Sequence, residues 1–198
     1  MNQPEAIKIR DLSVRFEETI VFERLNLDIP TQAATCLMGR SGCGKSTLLQ
    51  VLMGLVKPMN GSITGVADKT VSVVFQENRL CGHLSVMRNI LLPVRETAES
   101  NNRAQMLLTA VGLDENVWKQ KAHELSGGMK RRTAIVRALM PEANLYLLDE
   151  PVKELDEENQ ENVINLILKV TAGKTLIVAT HESDDIQRFN AEKLIRLE

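Results

Sequence analysis

Gly39, Gly44, Lys45 and Ser46 stand in the spacing G-x-x-x-x-G-K-S, between a short apolar run and a helical pattern. Glycines at that spacing let successive backbone N–H groups turn toward one point and cradle phosphate oxygens. A helix that begins there adds its dipole. The Lys45 ammonium can neutralise the β- and γ-phosphates, and the Ser46 hydroxyl can reach Mg²⁺. The chemistry indicated is binding of a nucleoside triphosphate. A Gly-rich turn arising by chance would not explain the position between strand and helix.

Other reactive side chains sit at the ends of apolar runs. "LYLLDEP" at 145–151 ends in Asp149 and Glu150. The carboxyl ends of strands are where open α/β sheets bind ligands. There Asp149 could hold Mg²⁺ through its water shell, and Glu150 could poise a water for attack on a γ-phosphate. Taken alone, the pair reads equally well as a solvated strand end. "TLIVAT" leads into His181, and "VSVVFQ" ends in Gln76. The histidine could reach the γ-phosphate side, and the glutamine could sense Mg²⁺ or the lytic water; each is weak evidence by itself.

"ELSGGMKRRTAIVRALM" at 124–140 poses a separate problem. From Met129 onward it reads as an amphipathic helix, with Ile135, Val136, Leu139 and Met140 on one face. Ser126, Gly127 and Gly128 precede it. Two glycines at a helix start cost backbone entropy and add no packing, so bare backbone must serve something there.

These residues need a scaffold. Apolar runs predict strands at 6–12, 34–38, 71–75, 144–148 and 174–179, and helical periodicity predicts helices at 45–55, 103–111, 127–140, 156–171 and 183–189. Strand and helix alternate in the first and last thirds, which implies an α/β fold with a mainly parallel sheet. The segments "AIKIRDLSVRF" and "NLDIP" suit an antiparallel β flap, and the middle, 77–140, reads as helical. At 198 residues the chain can bury a full core as one domain. Its net charge of −2 argues against nucleic acid as a partner. Cys36, Cys43 and Cys81 lack metal-ligand spacing and read as reduced thiols. No signal peptide is evident, and no apolar run approaches the ~20 residues that span a bilayer, so a role at a membrane would need spanning helices from other chains.

Taken in order, the set resembles the ATP-binding subunit of an ABC transporter. The phosphate loop at 39–46, Gln76, "LSGGM" at 125–129, "LLDE" at 147–150, "ELD" at 154–156 and His181 are similar to the family's motifs in order and approximate spacing. The resemblance implies a P-loop NTPase domain over 1–198. In it, 1–76 and 141–198 form a RecA-like core with the β flap, and 77–140 form an inserted helical sub-domain carrying the signature. It implies ATP and Mg²⁺ as cofactors and ATP hydrolysis as the activity. Two identical subunits would face head to tail, each ATP lying between one phosphate loop and the other subunit's LSGG segment. Ser126 would bond the partner's γ-phosphate, and Gly127 and Gly128 would let the backbone approach it. By the same resemblance Phe16 stacks on adenine, and Gly39, Ser41, Gly42, Cys43, Gly44, Lys45, Ser46 and Thr47 line the phosphates. Gln76, Ser46 and Asp149 serve the metal. Glu150 is the catalytic base, with Lys45, Gln76 and His181 completing the catalytic set. Asp156 lies in the loop that crosses to the partner.

Some positions depart from that pattern. Met129 replaces a usual glutamine, and Phe16 an often-found tyrosine. Lys153 and Glu154 replace small residues near the expected subunit seam, where they could alter packing or form cross-subunit ion pairs. Lys121, His123 and Glu124 read as a solvated approach to the signature. The segment 75–94 resembles the ATPases of nitrate, sulfonate and taurine importers at Arg79, Leu80 and Asn89. That implies import of a small anion, with Arg79, Leu80, His83 and Leu84 touching a transmembrane permease; an ordinary packed surface explains the segment as readily. The expected setting is the cytoplasmic face of the membrane, with an extracytoplasmic solute-binding protein as a further partner. The sequence ends on "KLIRLE", and the expectation is that control by a fused regulatory domain is absent. Competing assignments are a non-transport ABC ATPase acting on nucleic acid or ribosomes, and a P-loop kinase.

Overall fold

The computed structural model describes residues 6–198. They divide into two compact units. The first comprises the chain to Val71, Ala143–Asp149 and Gly173–Glu198; the second comprises Ser72–Glu142 and Glu150–Ala172.

The first unit begins with β1 (Ile7–Phe16) and β2 (Thr19–Ile29), which pair antiparallel. Ile7, Ile9, Leu12 and Val14 of β1 are buried, whereas Lys8 and Arg10 are exposed. The alternation slips by one residue at Asp11, which takes φ +48°, and the pairing register shifts between Ile9 and Leu12. Such a bulge keeps the apolar side chains on one face past the slip. It also lets the strand run beyond the predicted 6–12. β3 (Ala34–Met38) leads through the phosphate loop into α1 (Lys45–Leu52). β4 (Asn60–Thr64), which the sequence pattern did not predict, is mostly exposed and pairs antiparallel with β1 to complete the flap. β5 (Val71–Val74) starts on the last residue of this stretch.

The rest of the first unit is a parallel sheet. β6 (Leu145–Asp149) pairs with β7 (Thr175–Thr180), β7 with β3, and β3 with β8 (Lys193–Arg196). β6 and β7 are buried at every position, as strands covered on both faces require. The register sets Met38 opposite Thr180, and Asp149 opposite Ala179. The carboxyl ends of β3, β6 and β7 therefore lie along one end of the sheet, where the chemistry-bearing residues follow. β8 was also not predicted. The helix expected over 183–189 is a shorter α7 (Asp185–Arg188), ended as Asn190 turns left-handed at φ +50°.

The second unit is helical. It contains α2 (Val86–Leu91), α3 (Ala98–Ala110), α4 (Glu115–Trp118), α5 (Gly127–Leu139) and α6 (Glu157–Val170). α5 packs against α2, α3 and α6. Ile135, Val136 and Leu139 meet this core from α5, and Val163, Ile164, Leu166 and Ile167 form the buried stripe of α6. α3 starts five residues earlier than predicted, because Thr97 and Ser100 cap each other's backbone in a reciprocal box. Among the described residues, no helix is long and apolar enough to cross a membrane.

Candidate active site

In the first unit, the phosphate loop follows from glycine at two left-handed positions, Gly42 (φ +84°) and Gly44 (φ +97°). Gly44 is required twice over. Any side chain there would also meet the Phe22 ring at 2.6 Å and Val21 at 2.8 Å. The flap strand β2 thus packs directly on the loop. Gly44 is also the N-cap of α1, whose first turn holds no acidic residue and has no side-chain cap. That end of the helix keeps its N–H donors and its positive dipole for an anion. Lys45 is buried, and its ammonium curls over the loop to donate to the carbonyls of Gly39 (2.6 Å) and Arg40 (3.1 Å). Ser46 and Thr47 follow in the first turn, half-buried; Ser41 and Gly42 are exposed, and Cys43 is half-buried. The donors gathered here suit the phosphate oxygens of a nucleotide.

Asp149 ends β6 and is buried. His181 leaves β7 with its side chain half-exposed, Nε2 lying 3.1 Å from a Glu182 carboxylate oxygen. The turn behind it is fixed. Thr180 Oγ1 donates to Asp185 Oδ2 at 2.5 Å and accepts from the Glu182 N–H. Asp185 is itself buried, and burial lifts its carboxyl above the ordinary range against the Thr180 hydrogen bond and the charge of Arg188. The Cys36 thiol is pushed up to about 11 by burial, with Asp185 adding to the effect. Phe16 closes β1 opposite Thr19 and is 45% exposed, so a ring face is open for stacking.

The second unit carries the remaining residues. Ser126 caps α5, its Oγ accepting from the Met129 N–H at 3.3 Å. Gly127 and Gly128 are the first two helical residues. A Cβ on Gly127 would meet nothing within 4 Å, and one on Gly128 would meet Leu155 at an ordinary 3.5 Å and Glu154 O at 4.0 Å. Neither takes a positive φ. Among the described residues, nothing in their own chain therefore needs glycine at either position.

Glu150 takes φ +46°, a conformation costing a non-glycine residue about 1–2 kcal/mol. The turn is held from several sides. The Lys153 N–H donates to Glu150 O at 3.2 Å, and Arg131 Nη2 donates to the same oxygen at 2.8 Å. Arg131 is buried at 4% exposure in the middle of α5. Its guanidinium also donates to Pro151 O (2.9 Å), Phe75 O (2.6 Å) and Gln76 O (3.2 Å). The carboxylate of Glu150 accepts a 2.7 Å ion pair from Lys153. Lys153, expected at a seam between subunits, thus engages its own chain. Gln76 itself is exposed. Asp156 caps α6, and hydrogen bonds from Asn159 hold its carboxyl below the usual range.

Two further segments are more ordered than their residue types suggest. Lys121, His123 and Glu124 are exposed but structured: Glu124 accepts from the Lys121 N–H at 2.8 Å, and His123 Nδ1 lies 2.8 Å from Gly82 O. Asn89 is fully buried. It accepts from the Cys81 N–H and donates to the carbonyls of Cys81, Leu84 and Ser85, so it organises the loop that precedes α2. Arg79 stacks on Phe75, 4.0 Å from the ring centre. The sequence reading missed Arg131, whose charge resembles an ordinary solvated helix position.

Known proteins resemble this chain over most of its length. Residues 22–153 match the family described as ABC transporter. The ergothioneine transport ATP-binding protein of Helicobacter pylori is 32% identical over 96% of each chain. The thiamine import ATP-binding protein of Jannaschia is 39% identical over 83% of this chain and 78% of its own. The aliphatic sulfonates import ATP-binding protein of Rhodococcus jostii is 36% identical over 92% of this chain and 75% of its own. Among solved structures, the post-hydrolysis dimer of the ATP-binding cassette MJ0796 bound to ADP and Pi superposes with a TM-score of 0.85. It is 29% identical and spans 97% of this chain and 94% of that one. The chain belongs to the ABC transporter family, as one of its ATP-binding domains.

Proposed function

We propose that this chain is the ATP-hydrolysing subunit of a solute transporter, working as a pair with a second copy of itself beneath a transmembrane permease. One observation carries the paired arrangement: Gly127 and Gly128 leave the tip of α5 bare although their own chain has room for side chains there. A helix tip with bare backbone is a phosphate site, and α1 already supplies one phosphate-binding helix within the same chain. Two such tips on one molecule suit a head-to-tail pair in which each nucleotide meets one tip from each copy. A solved relative described as a dimer bound to ADP and Pi supports the same reading.

In this reading Lys45 and the loop amides hold the β- and γ-phosphates, and Phe16 stacks on the base. Ser126 and the α5 tip close on the γ-phosphate of the partner's nucleotide. Glu150 takes the proton of the attacking water, while His181 and Gln76 orient that water and the γ-phosphate. The oxygen donors of Ser46, Asp149 and Gln76 are of the type that suits Mg²⁺, which would neutralise phosphate charge when bound. Positioning and charge stabilisation supply most of the rate gain in such phosphoryl transfer.

The loop at 79–84, organised by the buried Asn89, is the proposed permease contact, on the cytoplasmic face of the membrane. Import is the favoured direction, in common with the thiamine and sulfonate relatives, and an extracytoplasmic binding protein would then deliver the solute. Those named relatives serve chemically unlike solutes, so solute choice belongs to the other subunits.

The test is Glu150→Gln, which keeps the size of the side chain and removes its basicity. ATP binding should persist, and turnover should fall by roughly 10²–10⁴-fold, the range for loss of a general base. Normal turnover in that variant would refute the assignment of Glu150.

A further inference from the structure

We propose that Lys153 is a positioning residue that latches the Glu150 carboxylate away from catalysis in the single subunit. The inference rests on the reading of Glu150 as the base. Four observations lead to it. Lys153 Nζ lies 2.7 Å from Glu150 Oε2, within ion-pair and hydrogen-bond distance. The backbone of the same turn is closed by the Lys153 N–H to Glu150 O. Glu150 is in the left-handed region, so the direction of its side chain is dictated by that turn. The glutamate side chain is 13% exposed, whereas that of Lys153 is 44% exposed.

A general base needs a lone pair directed at a water in line with the phosphorus. The Lys153 ammonium competes with water for the lone pairs of this carboxylate and fixes its rotamer toward residue 153. The exposed end of the pair is the lysine. It can therefore swing into solvent, or toward an incoming acidic or phosphate oxygen, without disturbing the buried Arg131 that holds the Glu150 backbone. The backbone hydrogen bond from Arg131 to the turn stays in place while the carboxylate loses the ammonium. The pair thus slows hydrolysis by biasing the carboxylate toward Lys153 until the lysine is displaced.

The experiment uses the full-length chain. Steady-state ATP turnover is measured for wild type, Lys153→Gln, Lys153→Arg, Glu150→Gln and the double variant Glu150→Gln/Lys153→Gln. A partly exposed ion pair corresponds to about a two- to fivefold change in population. Lys153→Gln should therefore raise kcat by about two- to fivefold at unchanged KM for ATP. Lys153→Arg should keep the wild-type kcat, and both variants carrying Glu150→Gln should be inactive. In the nucleotide-free chain, competitive acylation of amines should modify Lys153 faster in Glu150→Gln than in wild type. An unchanged or lower kcat in Lys153→Gln, with Glu150→Gln inactive, would overturn the latch and leave the base standing. A kcat raised equally by Lys153→Arg, or equal acylation of Lys153 in both proteins, would also overturn it. Wild-type turnover in Glu150→Gln would remove the base and the latch together.

Discussion

Replacing Gly128 by alanine separates what the fold needs at the tip of α5 from what the reaction needs. The added Cβ has only ordinary contacts: 3.5 Å to Leu155 Cδ2 and 4.0 Å to Glu154 O. The backbone is helical and needs no left-handed φ. Such a substitution restricts the unfolded chain and should stabilise the protein by about 0.4–1 kcal/mol. For a chain of this size that is a rise of about 1–4 °C in Tm. Gly127→Ala, with open space at its Cβ, should behave alike. Activity should move the opposite way. If the tip N–H groups bond a phosphate across a subunit pair, a methyl group at the approach removes a hydrogen bond to a charged group, worth about 1.5–3 kcal/mol. Turnover should fall roughly 10- to 100-fold. Urea unfolding of the nucleotide-free chain and phosphate release at saturating ATP measure the two effects on one preparation. A variant that gains stability and keeps full turnover would show that no ligand approaches this tip, and the paired site would have to be abandoned.

The buried Asp185 gives a pH signature. Its carboxyl is raised in the folded state, so the folded chain binds that proton more tightly than the unfolded chain, whose value lies near the usual ~3.9. Its contribution therefore grows as pH falls through the raised folded value. Wild type should gain stability relative to Asp185→Asn as pH falls from neutrality toward the unfolded value of ~3.9 in urea titrations; a difference that does not vary with pH would contradict this. The cysteines divide by burial. Native-state alkylation should spare Cys36, which is buried with its thiol pushed up to about 11, and should modify the half-buried Cys43 and Cys81. ATP should slow modification of Cys43 alone. Equal protection of Cys81, or none at Cys43, would argue against a nucleotide in the phosphate loop.

Strands β3, β6 and β7 were legible because a parallel strand buried on both faces must be apolar throughout, and each runs into a chemically marked turn. The edge strands β4 and β8 were not. "NGSIT" places a glycine and polar side chains on an exposed edge, and "KLIR" is too short for its alternation to register. The phosphate loop was legible because its backbone tolerates only glycine at certain positions, and Gly44 shows why: the left-handed φ and the Phe22 ring impose the same choice. Arg131 was hidden for the opposite reason. Its partners include main-chain carbonyls of residues 75, 76, 150 and 151, which any sequence would supply. Lys153 drew notice only as an unusual residue. Its spacing of three from Glu150 permits an ion pair, but the left-handed turn that closes it leaves no mark in the residue types.

The four carbonyls that meet at Arg131 belong to two strips of chain far apart in sequence, and the side chain that grips them grows from the helix that Ser126 opens. The guanidinium thus ties the backbone of Gln76 and of Glu150 to the same helix. In the proposed reading, a phosphate arriving at the leading end of that helix would be linked to the Glu150 turn through the Arg131 guanidinium.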